Sequence, residues 1–172
     1  MPDSRIPEDP VAELLQVLNL KDSGENSFQG TTQWMPGGRV FGGQVLAQSL
    51  VAASATVDQD RRVHSLHSYF LRPGALDVPI DFEVDILRDG RSFSARRVQA
   101  SQESKVIFSM IASFQIPTDG VEHADKMPTG VSEPETLPSA KNLLGSFDHP
   151  VARYWANARP FDLRHEAESV YL

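Results

Sequence analysis

The feature that most constrains this 172-residue chain is residues 43–57, GQVLAQSLVAASATV, a helical segment that is apolar or small on nearly every side. Leu46, Leu50, Ala53 and Val57 fall along one face, and Ala, Ser, Gln and Val make up most of the remainder. A helix without a charged face is unsuited to a surface position and is expected to be buried all round. It also lacks any Asp or Glu, the first carboxylate being Asp58 at its end. The rest of the fold must therefore wrap around one helix.

Four strand-like runs follow and can supply that wrapping. His64–Leu71 is the first. Pro79–Leu87 is the cleanest, with Ile80, Phe82, Val84 and Ile86 alternating against Asp81, Glu83 and Asp85. Asp89-Gly90 predicts a two-residue hairpin into Ser92–Ser101. A polar turn around Glu103-Ser104 then feeds Val106–Ile116, which is apolar at most positions and so expected to be a central strand. Upstream, residues 26–34 read as a first strand. Asp9 before Pro10 reads as an N-cap with proline at the first helical position, followed by Val11, Leu14, Leu15 and Leu18 at helical spacing. Helix, strand, buried helix and four antiparallel strands predict an α+β domain with a curved antiparallel sheet wrapped around a central helix. This is the hotdog arrangement.

Six of the twelve prolines lie after Gln115, and residues 117–150 also carry Gly120, Gly130 and Gly145 without a sustained period. The chain accordingly divides into an N-terminal helix region (1–25), a hotdog domain (26–116), a Pro/Gly-rich connector (117–150) and residues 151–172, the expected start of a second domain. A net charge of −7 speaks against a nucleic-acid surface. No stretch reaches the roughly 18 apolar residues of a membrane span. The start, MPDSRIPEDP, lacks the basic and apolar regions of a secretory signal. Without cysteine there is no disulfide, thiolate nucleophile or Cys-ligated zinc, and a cytoplasmic location is expected.

Two motifs carry more than pattern: Arg39-Val-Phe-Gly-Gly-Gln-Val-Leu-Ala-Gln48, and Val63-His-Ser-Leu-His-Ser-Tyr-Phe-Leu-Arg-Pro-Gly74. With Leu87-Arg-Asp-Gly-Arg-Ser-Phe-Ser-Ala-Arg-Arg97 and Ala112-Ser-Phe-Gln115, they resemble the acyl-CoA thioesterase II family from about residue 10 to 130. The resemblance implies two hotdogs in tandem that hydrolyse fatty acyl-CoA to fatty acid and CoA without a cofactor. This chain holds the N-terminal one, and Arg159-Pro-Phe-Asp-Leu-Arg-His165 looks like the opening of the other. The family's water-activating trio, an Asp, a Ser or Thr and a Gln, lies in the second hotdog, so no catalytic residue is assigned here. The isolated chain is expected to be weakly active or inactive. The alternative is a non-catalytic hotdog that binds acyl-CoA and self-associates through its sheets.

The residues themselves agree. Thioester hydrolysis needs a carboxylate or base near the carbonyl carbon and donors for the developing oxyanion. Gly42, Gly43 and Gln44 offer the second, as free N–H groups at the positive end of a helix. The glycines also suit a tight strand-to-helix turn, and both roles can hold. Gln44 and Gln48 lie one turn apart and either bond internally or face substrate. His64 and His67, three apart on a strand, are expected on opposite faces, which excludes a shared metal or dyad. His67 is the candidate substrate contact of the two. Neither Ser65 nor Ser68 has the strand-turn-helix elbow of a serine nucleophile. Arg72, Arg88, Arg91, Arg96 and Arg97 read as a solvated strand face or as contacts to CoA phosphates, with Arg97 chosen as the substrate-binding candidate.

Overall fold

The computed structural model describes residues 6–166. They form two compact units, residues 15–119 and a second comprising the chain before 15 with the chain after 119.

In the first unit a six-stranded antiparallel sheet, in spatial order β1-β2-β4-β5-β6-β3, carries one long helix. The strands are β1 (Lys21–Gly24), β2 (Ser27–Gly30), β3 (Arg62–Phe70), β4 (Ile80–Asp89), β5 (Phe93–Gln102) and β6 (Lys105–Gln115). Helix α1 (Pro10–Leu18) precedes them, and α2 (Gly42–Ser54) lies between β2 and β3. The expected strand over 26–34 is thus only four residues of a short hairpin. The carbonyl of Thr31 and the N–H of Gln33 bond to side chains of α2 instead of continuing a ladder.

Alternation on β4 places Ile80, Phe82 and Val84 in the core and Asp81, Glu83 and Asp85 outside, but Ile86, expected with the first three, is 50 % exposed beside the register shift between Ile86 and Arg88. Val98 and Ala100 from β5 and Phe108, Met110, Ala112 and Phe114 from β6 complete the inner face. Burying each phenylalanine contributes about 1.5–3 kcal/mol, so Phe82, Phe108 and Phe114 are the largest apolar terms. The stripe of α2 against them is Val45, Ser49, Ala52 and Ala53, joined by Gln44 and Gln48. Leu46 and Leu50, expected on the buried face with Ala53 and Val57, are only partly buried. Small residues let the helix approach the sheet closely, and the leucines flank the contact.

The two predicted hairpins exchange characters. Asp89 and Gly90 do not adopt positive φ, and the β4–β5 turn is wider, closed by Gly90 N–H to the Phe93 carbonyl at 2.8 Å. The Asp89 side chain is occupied with Ser94 and Arg96, which draws it away from a tight-turn role. The two-residue turn is Glu103-Ser104, with φ of 47° and 63°, flanked by the pair Gln102↔Lys105. Neither residue is suited to the left-handed region, where a side chain costs roughly 1–2 kcal/mol. Glu103→Asn with Ser104→Gly should therefore raise stability by about 1 kcal/mol. Thermal melting reads this directly, and a lower Tm would count against the assigned turn.

The sheet ends differ. β1 is a four-residue strand, whereas β3 runs nine residues with every position exposed except the half-buried Ser68. β3 pairs only with β6, which leaves its outer backbone edge unpaired within this unit.

In the second unit the predicted connector contains a 3₁₀ turn (Pro134–Thr136), α3 (Ala140–Leu144) and the start of α4 (Pro150–Asn157). Ser139 and Asn142 form a capping box at α3, and Pro150 opens α4 at a position where its missing N–H costs nothing. Arg164 fastens residues 134–137 through the carbonyls of Pro134 and Leu137. The Arg159 guanidinium lies 4.5 Å from the centre of the Trp155 ring. Of the predicted second-domain start, residues 167–172 lie outside the described part.

Candidate functional site

Helix α2 opens at Gly42 behind an extended Phe41, and no side chain caps it. The N–H groups of Gln44 and Val45 turn back to the Phe41 carbonyl at 3.0 and 3.3 Å. Those of Gly42 and Gly43 have no acceptor among the described residues, at the end where the helix dipole is positive. Beside Gly42 lies a cleft of about 350 Å³, lined also by Val40, Val45, Phe70, Ile107 and Phe108, with exposed Arg39 and Arg72 on its walls. The Phe70 ring packs closely over Gly42, where a Cβ would sit 2.8 Å from it and the ring would have to shift.

Gln44 shares the helix start but points into the protein. Its Nε2 donates to the Thr31 carbonyl at 2.9 Å and to Gln48 Oε1 at 3.2 Å, and its Oε1 accepts from the Gln33 N–H at 3.1 Å. Gln48 Nε2 donates onward to the Val17 and Thr31 carbonyls. This amide ladder ties α1 and the 31–33 segment to α2.

The two histidines overturn the expectation of opposite faces. The β3–β6 register slips between Val63 and Ser65, and His64 is the extra residue. A bulge of one residue reverses the parity of what precedes it. His64 Nε2 consequently reaches Ser113 Oγ at 2.8 Å on the outer face and its ring meets Phe93 edge-on, 5.7 Å between centres. His67 is on that face too, opposite Ile111 and edge-on to Tyr69 at 4.8 Å. Arg97 pairs with Ile111 from the other side and bonds Asp85 Oδ2 at 2.7 Å. The structure therefore brings His67 and Arg97 to one row of the outer face, while Gly42, Gly43 and Gln44 lie with α2 on the inner face. The sheet separates the two groups within this unit.

The five arginines also separate. Arg96, expected on a solvated face or at phosphates, is 2 % exposed. Its parity points it inward, where Nε and Nη2 bond the Thr56 hydroxyl and carbonyl at 2.8 Å each. Nη2 also meets Asp89 at 2.9 Å, and Nη1 reaches the Arg88 and Ala95 carbonyls. Asp89 is held below the usual carboxylate range, first by the Ser94 hydrogen bond, against partial burial, then by Arg96 and the charge of Arg61. Arg72 is spent on the Val106 carbonyl at 2.6 Å. Arg88 and Arg91 alone of the five have no acceptor among the described residues.

The cleft walls Val40, Phe70, Ile107 and Phe108 were not singled out by sequence. The signal for them was Phe70 directly before Leu71-Arg72-Pro73-Gly74, because this segment returns the chain to Val40, whose N–H bonds the Gly74 carbonyl at 3.0 Å. Helix α2 carries no carboxylate. Among the described residues no cluster of three or more His, Cys, Asp or Glu is placed to hold a metal. The arrangement offers an unclaimed helix-start N–H at Gly42 on the wall of an apolar cleft, and it has no base on the helix.

A wrapped central helix with an uncapped start on a six-stranded antiparallel sheet defines a hotdog domain. A conserved protein of unknown function with this fold, from Alicyclobacillus acidocaldarius, superposes with a TM-score of 0.68 over 84 % of this chain and 52 % of its own at 20 % identity. Residues 31–115 match the family model for the acyl-CoA thioesterase N-terminal domain, and this part of the chain belongs to that family. Acyl-CoA thioesterase 2 of Haemophilus influenzae is 39 % identical over 155 residues, 88 % of this chain and 54 % of the relative. The structure of acyl-CoA thioesterase II TesB2 from Mycobacterium marinum is 46 % identical, with a TM-score of 0.66 over 73 % of this chain and 47 % of that one. The chain thus spans about half the length of these relatives. Among the described residues, no helix is long and apolar enough to cross a membrane.

Proposed function

We propose that this chain acts as the N-terminal hotdog of an acyl-CoA thioesterase, hydrolysing fatty acyl-CoA to fatty acid and CoA only together with a second hotdog. The observation that carries the reading is the unclaimed Gly42 amide on the wall of an apolar cleft, with the unclaimed Gly43 amide next to it in the helix, in a domain of this family. The amides receive a carbonyl or carboxylate oxygen, the cleft takes apolar acyl carbons, and Gln44 fixes the helix start without touching substrate. His67 and Arg97 stand on the other side of the sheet and are not assigned to this pocket. The acid-free α2 supports placing the water-activating group in a second hotdog. Release of free thiol from decanoyl-CoA and palmitoyl-CoA tests this. The 172-residue chain alone should turn over at least about a hundredfold more slowly than the chain joined to a second hotdog, the scale of a missing general base. Brisk hydrolysis by the chain alone would overturn the assignment.

A second reading, a non-catalytic hotdog that self-associates, is favoured by β3. Its unpaired edge and exposed Val63, Leu66 and Phe70 are the kind of strand that accepts another. A two-fold dimer would mimic a tandem pair. Light scattering at micromolar concentration separates the readings, because a monomer removes the second.

A further inference from the structure

The partners of the arginines point to a site away from the Gly42 cleft. On the β4–β5 turn, Asp89 is taken by Arg96 and Ser94, and on β4 Asp85 is taken by Arg97. Arg61 leans on Asp58 at 3.6 Å and donates to Ser94 Oγ. Arg88 and Arg91 are exposed, and neither has an anionic partner among the described residues. The Arg88 guanidinium lies over the turn, because a Cβ built at Gly90 would be 3.4 Å from its Nε. The absent side chain at 90 leaves room for it. Next to this pair Phe93 is 47 % exposed and is held by the His64 ring, itself bonded to Ser113. Arg62 is on the same outer face, two strands across through Gln115. A chain of net charge −7 thus gathers unpaired cations around a fixed, half-bare aromatic ring.

We propose that this hairpin binds an adenine nucleotide, with phosphate oxygens on Arg88 and Arg91 and the purine on Phe93. Forked guanidinium donors match phosphate oxygens, and a fixed aromatic face takes a base by stacking. Resting on the acyl-CoA reading above, the ligand is the nucleotide end of coenzyme A. The hairpin is pinned to Thr56 beyond the far end of α2 from Gly42. Gly42 and Thr56 are about 20 Å apart along the thirteen residues of α2, so the arm between the phosphates and thioester of CoA has to turn round the end of the sheet, from the outer face at Phe93 to the inner face at Gly42. Phosphate could equally be presented by an anionic lipid headgroup, so the test includes both sources.

Calorimetry on the 172-residue chain uses coenzyme A, adenosine 3′,5′-bisphosphate, pyrophosphate, and phosphatidylcholine vesicles with and without phosphatidylserine. Arg88→Gln/Arg91→Gln should weaken coenzyme A and the bisphosphate by about tenfold or more, with the melting curve unchanged. Lys21→Gln/Lys105→Gln, which removes equal charge elsewhere, should not. Phe93→Leu should weaken the nucleotide and leave pyrophosphate alone. Wild-type coenzyme A affinity in the double arginine variant overturns this site and leaves the acyl-CoA reading standing. Arginine-dependent binding of phosphatidylserine vesicles without arginine-dependent nucleotide binding overturns the nucleotide assignment in favour of a lipid headgroup. No binding of coenzyme A or of decanoyl-CoA to the chain overturns both.

Discussion

Replacing Arg96 with Ala should cost the hotdog unit about 2–4 kcal/mol, because a buried guanidinium serving several acceptors is lost and each buried group left without its partner costs about 1–3 kcal/mol. The guanidinium is almost wholly enclosed and serves Thr56, Arg88, Ala95 and Asp89 together. Its loss takes this donor from the carbonyls of Arg88, Ala95 and Thr56, in a space water enters poorly. Arg96→Lys keeps the charge but not the fork, so it should fall between the two. In urea the midpoint should drop by more than about 1 M. Trp155→Phe as background leaves Trp34 as the reporter of residues 15–119. A loss under about 1 kcal/mol would show that the network is dispensable.

Asp89 adds a pH signature to the same experiment. Its carboxyl is depressed in the folded state, so its contribution is present above the unfolded value of about 3.9 and lost as pH falls through the folded value. The affected window lies below about pH 4. The Asp89 side chain is 52 % exposed, so solvent screens the pair and the acid limb should be shallow. Arg96→Ala should make it shallower still, with Ser94 retaining part of the effect.

Gln48→Leu is expected to cost about 2–3 kcal/mol, although the two side chains are close in size. Gln48 is fully buried, and its amide holds the Val17 and Thr31 carbonyls while accepting from Gln44. Leucine strands the Val17 carbonyl and leaves one Gln44 proton without its acceptor. The fit is also steric, because a Cβ at Gly30 would lie 2.5 Å from Gln48 Nε2. Gln48→Glu keeps the shape but turns an acceptor toward two carbonyls. It should be worse than leucine at neutral pH and recover in part where the carboxyl carries a proton. Equal denaturation midpoints for wild type and Gln48→Leu would refute the tethering role.

The helix and the four long strands were legible because each obeys one strong rule. Residues 43–57 have no polar face, and the alternation that starts at Ile80 is matched by burial as far as Val84, failing only at the exposed Ile86. What escaped depended on contacts distant in sequence. A bulge at His64 is visible only once β3 is registered against β6, and it moves that histidine to the face of His67. Arg96 and Arg97 are neighbours with opposite fates, since strand parity sends one to Thr56 and the other to Asp85. Asp89-Gly90 looked like the tight turn because its composition suits one. Arg96 and Ser94 claim Asp89 instead, and the strained pair Glu103-Ser104 makes the tight turn without suitable residues. At the helix start, Gly42 was legible as a glycine, whereas the Phe70 ring packed over it comes from β3.

The lone partnership of β3 has a consequence for the order in which contacts are won. β4, β5 and β6 follow one another through short turns, so their pairing closes small loops. β3 meets β6 only across the whole of that meander, from Phe70↔Phe108 to Arg62↔Gln115. Each doubling of a closed loop costs roughly 0.6 kcal/mol more in chain entropy. The nearest β3–β6 pair, Phe70↔Phe108, closes 38 residues, and the nearest β2–β4 pair, Gly30↔Ile80, closes 50, so the strands on either side of the meander are held by costlier closures than the meander itself. A partner laid along the free edge of β3 would complete two jobs at once, joining the sheet and holding in register a strand that has only β6 beside it.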